Sequence, residues 1–261
     1  MKITALMENT SIAPDIACEH GLSLYIEACG KKILFDMGQS EAFAENAKRL
    51  GVDLSRVEIA MLSHGHYDHG GGALRFFEEN DHAPLYVSRH AFAPYYNGTE
   101  KYIGLDPAIG KSGRLVLTGE EDVPLAPGLT IRKLSHDARQ FPAFGQGLCV
   151  RCGEAFTTDD FLHEQYLEII EGEKRVLISG CSHRGIMNIV QAFAPDVLVG
   201  GLHFMKLDPA GETLARMGEL LKRTHTVYYT GHCTGQAQFD RLKETMGGQL
   251  SYLAAGDTIE L

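Results

Sequence analysis

The sequence predicts an α/β protein, and three observations carry that prediction. A strand, a histidine-bearing loop and a helix follow one another three times in the C-terminal half. The N-terminal region reads as β structure, and an apolar strand near residue 60 runs into a cluster of polar residues and glycines. Taken in order, 2–7 (KITALM), 22–28 (LSLYIEA) and 31–35 (KKILF) have the apolar and β-branched content of strands. Segment 40–50 (SEAFAENAKRL) places Phe43, Ala47 and Leu50 at helical spacing behind a Ser40 N-cap, with Gly51 as the stop. The run 58–62 (EIAML) is a short strand. Strand 174–178 (KRVLI) leads to Gly-Cys-Ser-His and helix 186–193. Strand 197–200 (VLVG) leads to Gly-Leu-His and helix 211–223, and strand 226–230 (TVYYT) leads to Gly-His-Cys-Thr-Gly and helix 236–245. Such loops collect along one sheet edge, where α/β architectures place their sites.

With 261 residues, 44% hydrophobic and 22% charged, the chain has the profile of a folded protein, and a single domain over 1–261 is expected. An irregular insertion is expected at about 94–150, where Pro94, Pro107, Pro124, Pro127 and Pro142 interrupt the patterning. It reads either as a lid or oligomer contact, or as a set of β turns. Tyr95, Tyr96 and Tyr102 point in the same two directions, to a pocket wall or a homodimer contact. No run approaches the roughly 18 apolar residues of a membrane span, and the start lacks signal-peptide features, so a cytoplasmic protein without a membrane partner is expected. Six cysteines are too sparse for a disulfide scaffold. The pair Cys149-Val-Arg-Cys152 reads as two ordinary buried or half-buried thiols. A net charge of −10 repels phosphate backbones, which speaks against nucleic acid as a partner and leaves a small anionic substrate drawn to a local basic or metal site.

Twelve histidines are present, and their positions decide their meaning. Residues 64–69 read His-Gly-His-Tyr-Asp-His and are followed by three glycines. In an extended segment His64 and His66 point the same way and can grip one ion, while Asp68 and His69 turn toward a second. His20, His82, His90, His136 and His225 lack ligand spacing and default to surface or structural roles. Arg184 stands at the mouth of helix 186–193, where backbone N–H groups and the helix dipole favour a phosphate, with Lys206 as a further candidate contact.

The His64-Gly-His66-Tyr-Asp68-His69 motif resembles the core motif of the metallo-β-lactamase superfamily, and Phe35-Asp36-Met37-Gly38 resembles that family's first motif, whose Asp supports the metal-binding loop. The resemblance spans nearly the whole chain and implies an αββα sandwich, the metallo-β-lactamase fold, with a binuclear site along one edge. Within the superfamily, His20-Gly-Leu-Ser23, Gly180-Cys-Ser-His183, Gly201-Leu-His203 and Gly231-His-Cys-Thr-Gly235 resemble the dihydropterin–ribofuranosylaminobenzene-phosphate synthase-like metal-dependent hydrolases. Motif order implies His163, Cys181 and His232 as the remaining ligands. Cys181 departs from the family's usual bridging Asp, although a thiolate also ligates zinc. His183 and His203 are then replacement ligands, proton donors to a leaving group, oxyanion contacts, or structural residues whose hydrogen bonds brace the loops.

The resemblance implies two divalent ions, zinc in the first place with manganese or iron as alternatives. His66 stands where diiron members usually carry Glu, which favours zinc-type hydrolysis over oxygen reduction. Two such ions lower the pKa of a shared water. The expectation is a hydrolase of a small phosphoester or phosphodiester acting through a metal-bridging hydroxide, with Asp68 orienting it. The alternatives are a pterin synthase releasing pyrophosphate and a metal-bearing sensor of small anions without turnover.

Overall fold

The computed structural model describes residues 1–261 apart from the side chain of His136, so the role expected for that imidazole lies outside the described residues. In chain order the elements are β1 (Lys2–Met7), β2 (Ser23–Ala28), β3 (Lys31–Phe35), α1 (Ala42–Arg49), β4 (Ile59–Met61), α2 (Tyr67–Gly70), α3 (Ala73–Glu79), β5 (Leu85–Ser88), β6 (Tyr95–Asn97), β7 (Lys101–Tyr102) and β8 (Leu115–Thr118). There follow β9 (Val123–Ala126), β10 (Leu129–Arg132), β11 (Leu148–Cys152), β12 (Ala155–Thr158), β13 (Tyr166–Glu171), β14 (Lys174–Ile178), α4 (Ile186–Phe193), β15 (Val197–Val199), α5 (Glu212–Lys222), β16 (Val227–Thr230), α6 (Gln236–Met246), β17 (Leu250–Tyr252) and β18 (Thr258–Glu260). No helix among the described residues is long and apolar enough to cross a membrane.

The chain divides into two compact units. Unit one comprises Met1–Glu121, Gln146–Gln165 and Ala254–Leu261; unit two comprises Asp122–Gly145 and Tyr166–Leu253. The stretch 94–150 holds strands β6 to β10 and the start of β11.

Unit one is built on a sheet ordered β18-β1-β2-β3-β4-β5-β8, antiparallel as far as β3 and parallel from β3 to β8. Phe43, Ala44 and Ala47 of α1 and Phe76 of α3 pack with Leu6, Leu34 and Leu85 of the sheet, the 3.6-residue spacing of the helix placing its apolar stripe inward. The parallel register pairs Phe35 with Met61. The strands β3 and β4 therefore end side by side, and the residues after each, Asp36 and Leu62 to His69, start from the same edge. A smaller sheet ordered β12-β11-β6-β7 belongs to the same unit.

Unit two carries the sheet β17-β16-β15-β14-β13-β10-β9, parallel from β14 to β17. Parallel neighbours need long crossovers, and α4, α5 and α6 supply them. Their buried faces pack with Tyr166, Leu177, Leu198 and Tyr228. Ile178 pairs with Val199, and Val199 with Tyr229, so all three histidine-bearing loops leave the sheet at one edge.

Candidate metal centre

In unit one the loop after β4 is not an extended strand. Residues 63–65 bend, His66 forms a single bridge with Gly104, and Asp68 and His69 lie on the one-turn helix α2. His64, His66, Asp68 and His69 are all buried. The rings of His64 and His66 stand 4.5 Å apart, and those of His64 and His69 4.1 Å apart.

Asp36 braces this loop from the neighbouring strand end. Its carboxylate accepts the Ser63 N–H (2.7 Å), the Ser63 hydroxyl (2.7 Å) and His69 Nδ1 (2.6 Å). These bonds fix tautomers. Because the Ser63 hydroxyl proton goes to Asp36, His64 Nδ1, 2.8 Å from Ser63 Oγ, must carry a proton, and Nε2 becomes its lone-pair nitrogen. His69 likewise donates from Nδ1 and presents Nε2. Burial, reinforced by the neighbouring His163, lowers the His66 pKa to about 3, so its imidazole is neutral near pH 7. Burial also works against the charged form of His69, but Asp36 and Asp68 outweigh it and raise that pKa.

His20, expected in a surface or structural role, has Nε2 3.3 Å from Asp68 Oδ2, and its Nδ1 lies 3.2 Å from Asn9 Nδ2. His163 is fully buried in the same unit: Gly65 N–H donates to its Nδ1 (2.8 Å) and its Nε2 lies 3.0 Å from Asp159 Oδ2. Burial penalises the Asp159 carboxylate, yet the hydrogen bond and charge of His163 together with the Phe161 N–H outweigh this and lower its pKa. Single donor atoms of His66, Asp159 and His163 lie within 4.8 Å of one another. His82, His90 and His225 sit beside Asp81, Glu120 and Asp196, in surface pairs.

In unit two, Cys181, His183, His203 and His232 are buried, as is Arg184 directly before the N-cap Gly185 of α4. The His183 and His203 rings are 4.2 Å apart, and His203 Nδ1 donates to the Phe144 carbonyl (3.1 Å), which leaves Nε2 as its lone-pair nitrogen. Cys181, His232 and Cys233 each place a donor atom within 4.8 Å of the others. Cys233 was not anticipated; its sulfur takes the space beside Gly201, where a side chain would collide with it. Lys206 is exposed, Cys149 is half-buried and Cys152 is exposed.

Among the described residues, seven non-glycine residues have positive φ, and five of them lie in these loops: Asp36, Phe161, Ser182, His203 and His232. Such conformations cost free energy and persist where the surroundings over-determine them, which is common at functional sites. The donor chemistry fits divalent cations: imidazoles with tautomers set by outer partners, a carboxylate, and thiols.

Residues 17–232 match the family model described as the metallo-beta-lactamase superfamily. The chain belongs to that superfamily. An uncharacterized protein of Methanocaldococcus jannaschii is 29% identical over 258 residues, covering 93% of this chain and 94% of that one. From the same organism, 7,8-dihydropterin-6-methyl-4-(beta-D-ribofuranosyl)-aminobenzene-5'-phosphate synthase is 27% identical over 270 residues, covering 93% and 90%. The crystal structure of Tm1679, a metal-dependent hydrolase of the beta-lactamase superfamily, superposes with a TM-score of 0.86 at 27% identity, over 100% of this chain and 99% of that one. The fold is thus the metallo-β-lactamase fold, as the sequence motifs implied. Members bind divalent metals, and the histidine, aspartate and cysteine clusters of this chain are spaced to do so.

Proposed function

We propose that this protein is a two-metal hydrolase of a small phosphate-bearing substrate, a phosphoester or phosphodiester. The observation that carries the reading is the buried His64–His69 loop, in which Asp36 and Ser63 set the tautomers of His64 and His69 while His66 stays neutral. The candidate ion ligands are His64, His66, Asp68 and His69 in unit one, and His232 with Cys181, His183 and His203 in unit two. When bound, two divalent ions, zinc foremost, supply Lewis acidity and lower the pKa of coordinated water.

The chain's own groups do the rest. Asp68, held by His20, presents a fixed carboxylate for metal and water. His203, with its Nδ1 proton committed to Phe144, offers Nε2 for proton transfer or for an oxyanion, and the His183 ring lies 4.2 Å away, tilted against it. Arg184 at the head of α4 is the candidate phosphate contact, and exposed Lys206 a weaker one.

Elemental analysis of purified protein should find about two metals per chain; near zero rejects the reading. Metal-loaded protein should then hydrolyse some member of a panel of phosphomonoesters, phosphodiesters and cyclic nucleotides. A second reading, a synthase that releases pyrophosphate from a pterin diphosphate, is favoured by the 27% identity over 93% of this chain to a relative of that name. Pyrophosphate release only when pterin and aminobenzene substrates are both present would select it. Metal binding without turnover on either assay would select the small-anion sensor.

A further inference from the structure

We infer that His163 is a positioning residue, clamped by Asp159, that aims His64 and His66 through the Gly65 peptide and is not itself a metal ligand. The inference rests on the metal-dependent reading above.

The hydrogen bonds assign both ring nitrogens. A backbone N–H can only donate, so His163 Nδ1, 2.8 Å from Gly65 N, holds its lone pair there. Nε2 then carries the ring proton and donates it to Asp159 Oδ2 at 3.0 Å. Both residues are buried. Coordination through Nε2 would displace the proton that Asp159 accepts, and coordination through Nδ1 would leave the Gly65 N–H buried without an acceptor. Either change is costly in a site closed to water.

The clamp is itself held. Asp159 Oδ1 accepts the Phe161 N–H at 2.8 Å, and Phe161 takes a positive φ that turns the chain so that Glu164 N–H bonds the Phe161 carbonyl. Gln165 follows, its backbone N–H on Ser63 O (2.8 Å) and its amide on Leu62 O (2.7 Å). The Tyr95 ring lies 4.1 Å from that of His163 at 31°, and the His66 ring lies 5.2 Å away. On its other side Gly65 abuts the Ala91 carbonyl, with which any β-carbon would collide. The peptide between the two imidazoles is thus gripped from both sides, and turning it would redirect His64 and His66 together. The 4.8 Å grouping of His66, Asp159 and His163 is the spacing of a hydrogen-bonded dyad beside a neighbour, as well as that of a cation site.

Long-range proton–nitrogen NMR of the imidazoles, on the full chain without metal and after zinc addition, separates the two. We expect His163 to keep its Nε2–H tautomer in both states while the His64 and His66 ring nitrogens shift with zinc. Loss of the His163 Nε2 proton on zinc addition, or a move of either of its nitrogens into the ligated range, overturns the inference. Failure of the metal reading looks different, because elemental analysis then finds no bound zinc in the wild type. Variants give a second readout. Asparagine can return an acceptor near the Nδ1 position, so His163→Asn should bind zinc more tightly than His163→Ala, with about 10- to 100-fold weaker binding in the alanine variant but unchanged stoichiometry at saturation. If both variants lose one full equivalent of zinc, His163 is a ligand.

Discussion

A carboxylate buried as deeply as Asp36 is stable only when its lone pairs are met, and Ser63 N–H, Ser63 Oγ–H and His69 Nδ1 meet them. Asp36→Ala would strand three donors in the interior. Urea unfolding of that variant should show a loss of about 3–5 kcal/mol, the range for breaking a buried charged network. His66 contributes in the opposite sense to an ordinary salt bridge. Its pKa is depressed from 6.5 to about 3, so the folded state binds the proton more weakly than the unfolded chain does. The associated stability is complete above about pH 6.5 and drains away as pH falls toward 3. His66→Gln should flatten that acid loss in metal-free protein, read from unfolding midpoints between about pH 7 and 4. His69, with its raised pKa, contributes below pH 6.5 and loses that contribution as pH rises through the raised value. At this scale the HGHYDH cluster of candidate donors and the supporting Asp36 were legible in the sequence. His20, Asp159 and Cys233 were not, because each acquires its role from a partner distant in sequence: His20 from Asp68, Asp159 through His163 from Gly65, Cys233 from Cys181.

Elements place these residues with little tolerance. Gly65→Ala should clash with the Ala91 carbonyl and lower the melting temperature by several degrees, whereas Gly113→Ala, with open space around it and an ordinary φ, should leave it within about one degree. Differential scanning fluorimetry of the two variants against wild type makes the comparison. The helices of unit two follow the sequence pattern closely, since 3.6-residue periodicity is local: 186–193 is reproduced, and 211–223 and 236–245 differ by a residue at their ends. The first helix shows how a competing partner shifts a boundary. The Ser40 hydroxyl donates to Glu19 (2.6 Å) while its oxygen accepts the Ala42 N–H (3.2 Å), and the helix starts at Ala42 with Glu41 in the N-cap position. The stretch 94–150 looked irregular because its strands pair over long distances, β10 with β13, β11 with β6 and β8 with β5. Pairing of that kind leaves no periodic trace within a short window.

For the molecule as a whole, ligand binding to the folded state adds stability by mass action. Zinc at about a hundredfold above its dissociation constant should stabilise the protein by about 2.7 kcal/mol per site, and chelation should reverse it. Calorimetry with and without chelator tests this; an unchanged transition would show that the folded chain binds no zinc. The amino-acid sequence alone determined the α/β pattern, the family and the histidine-bearing loops, because strand and helix periods and the spacing of histidines within one loop are local properties of the chain. Tertiary structure alone decided which ring nitrogen of His64, His69, His163 and His203 carries the proton. That choice depends on a hydrogen-bond partner delivered by strand register or by a returning segment, and no local pattern encodes it.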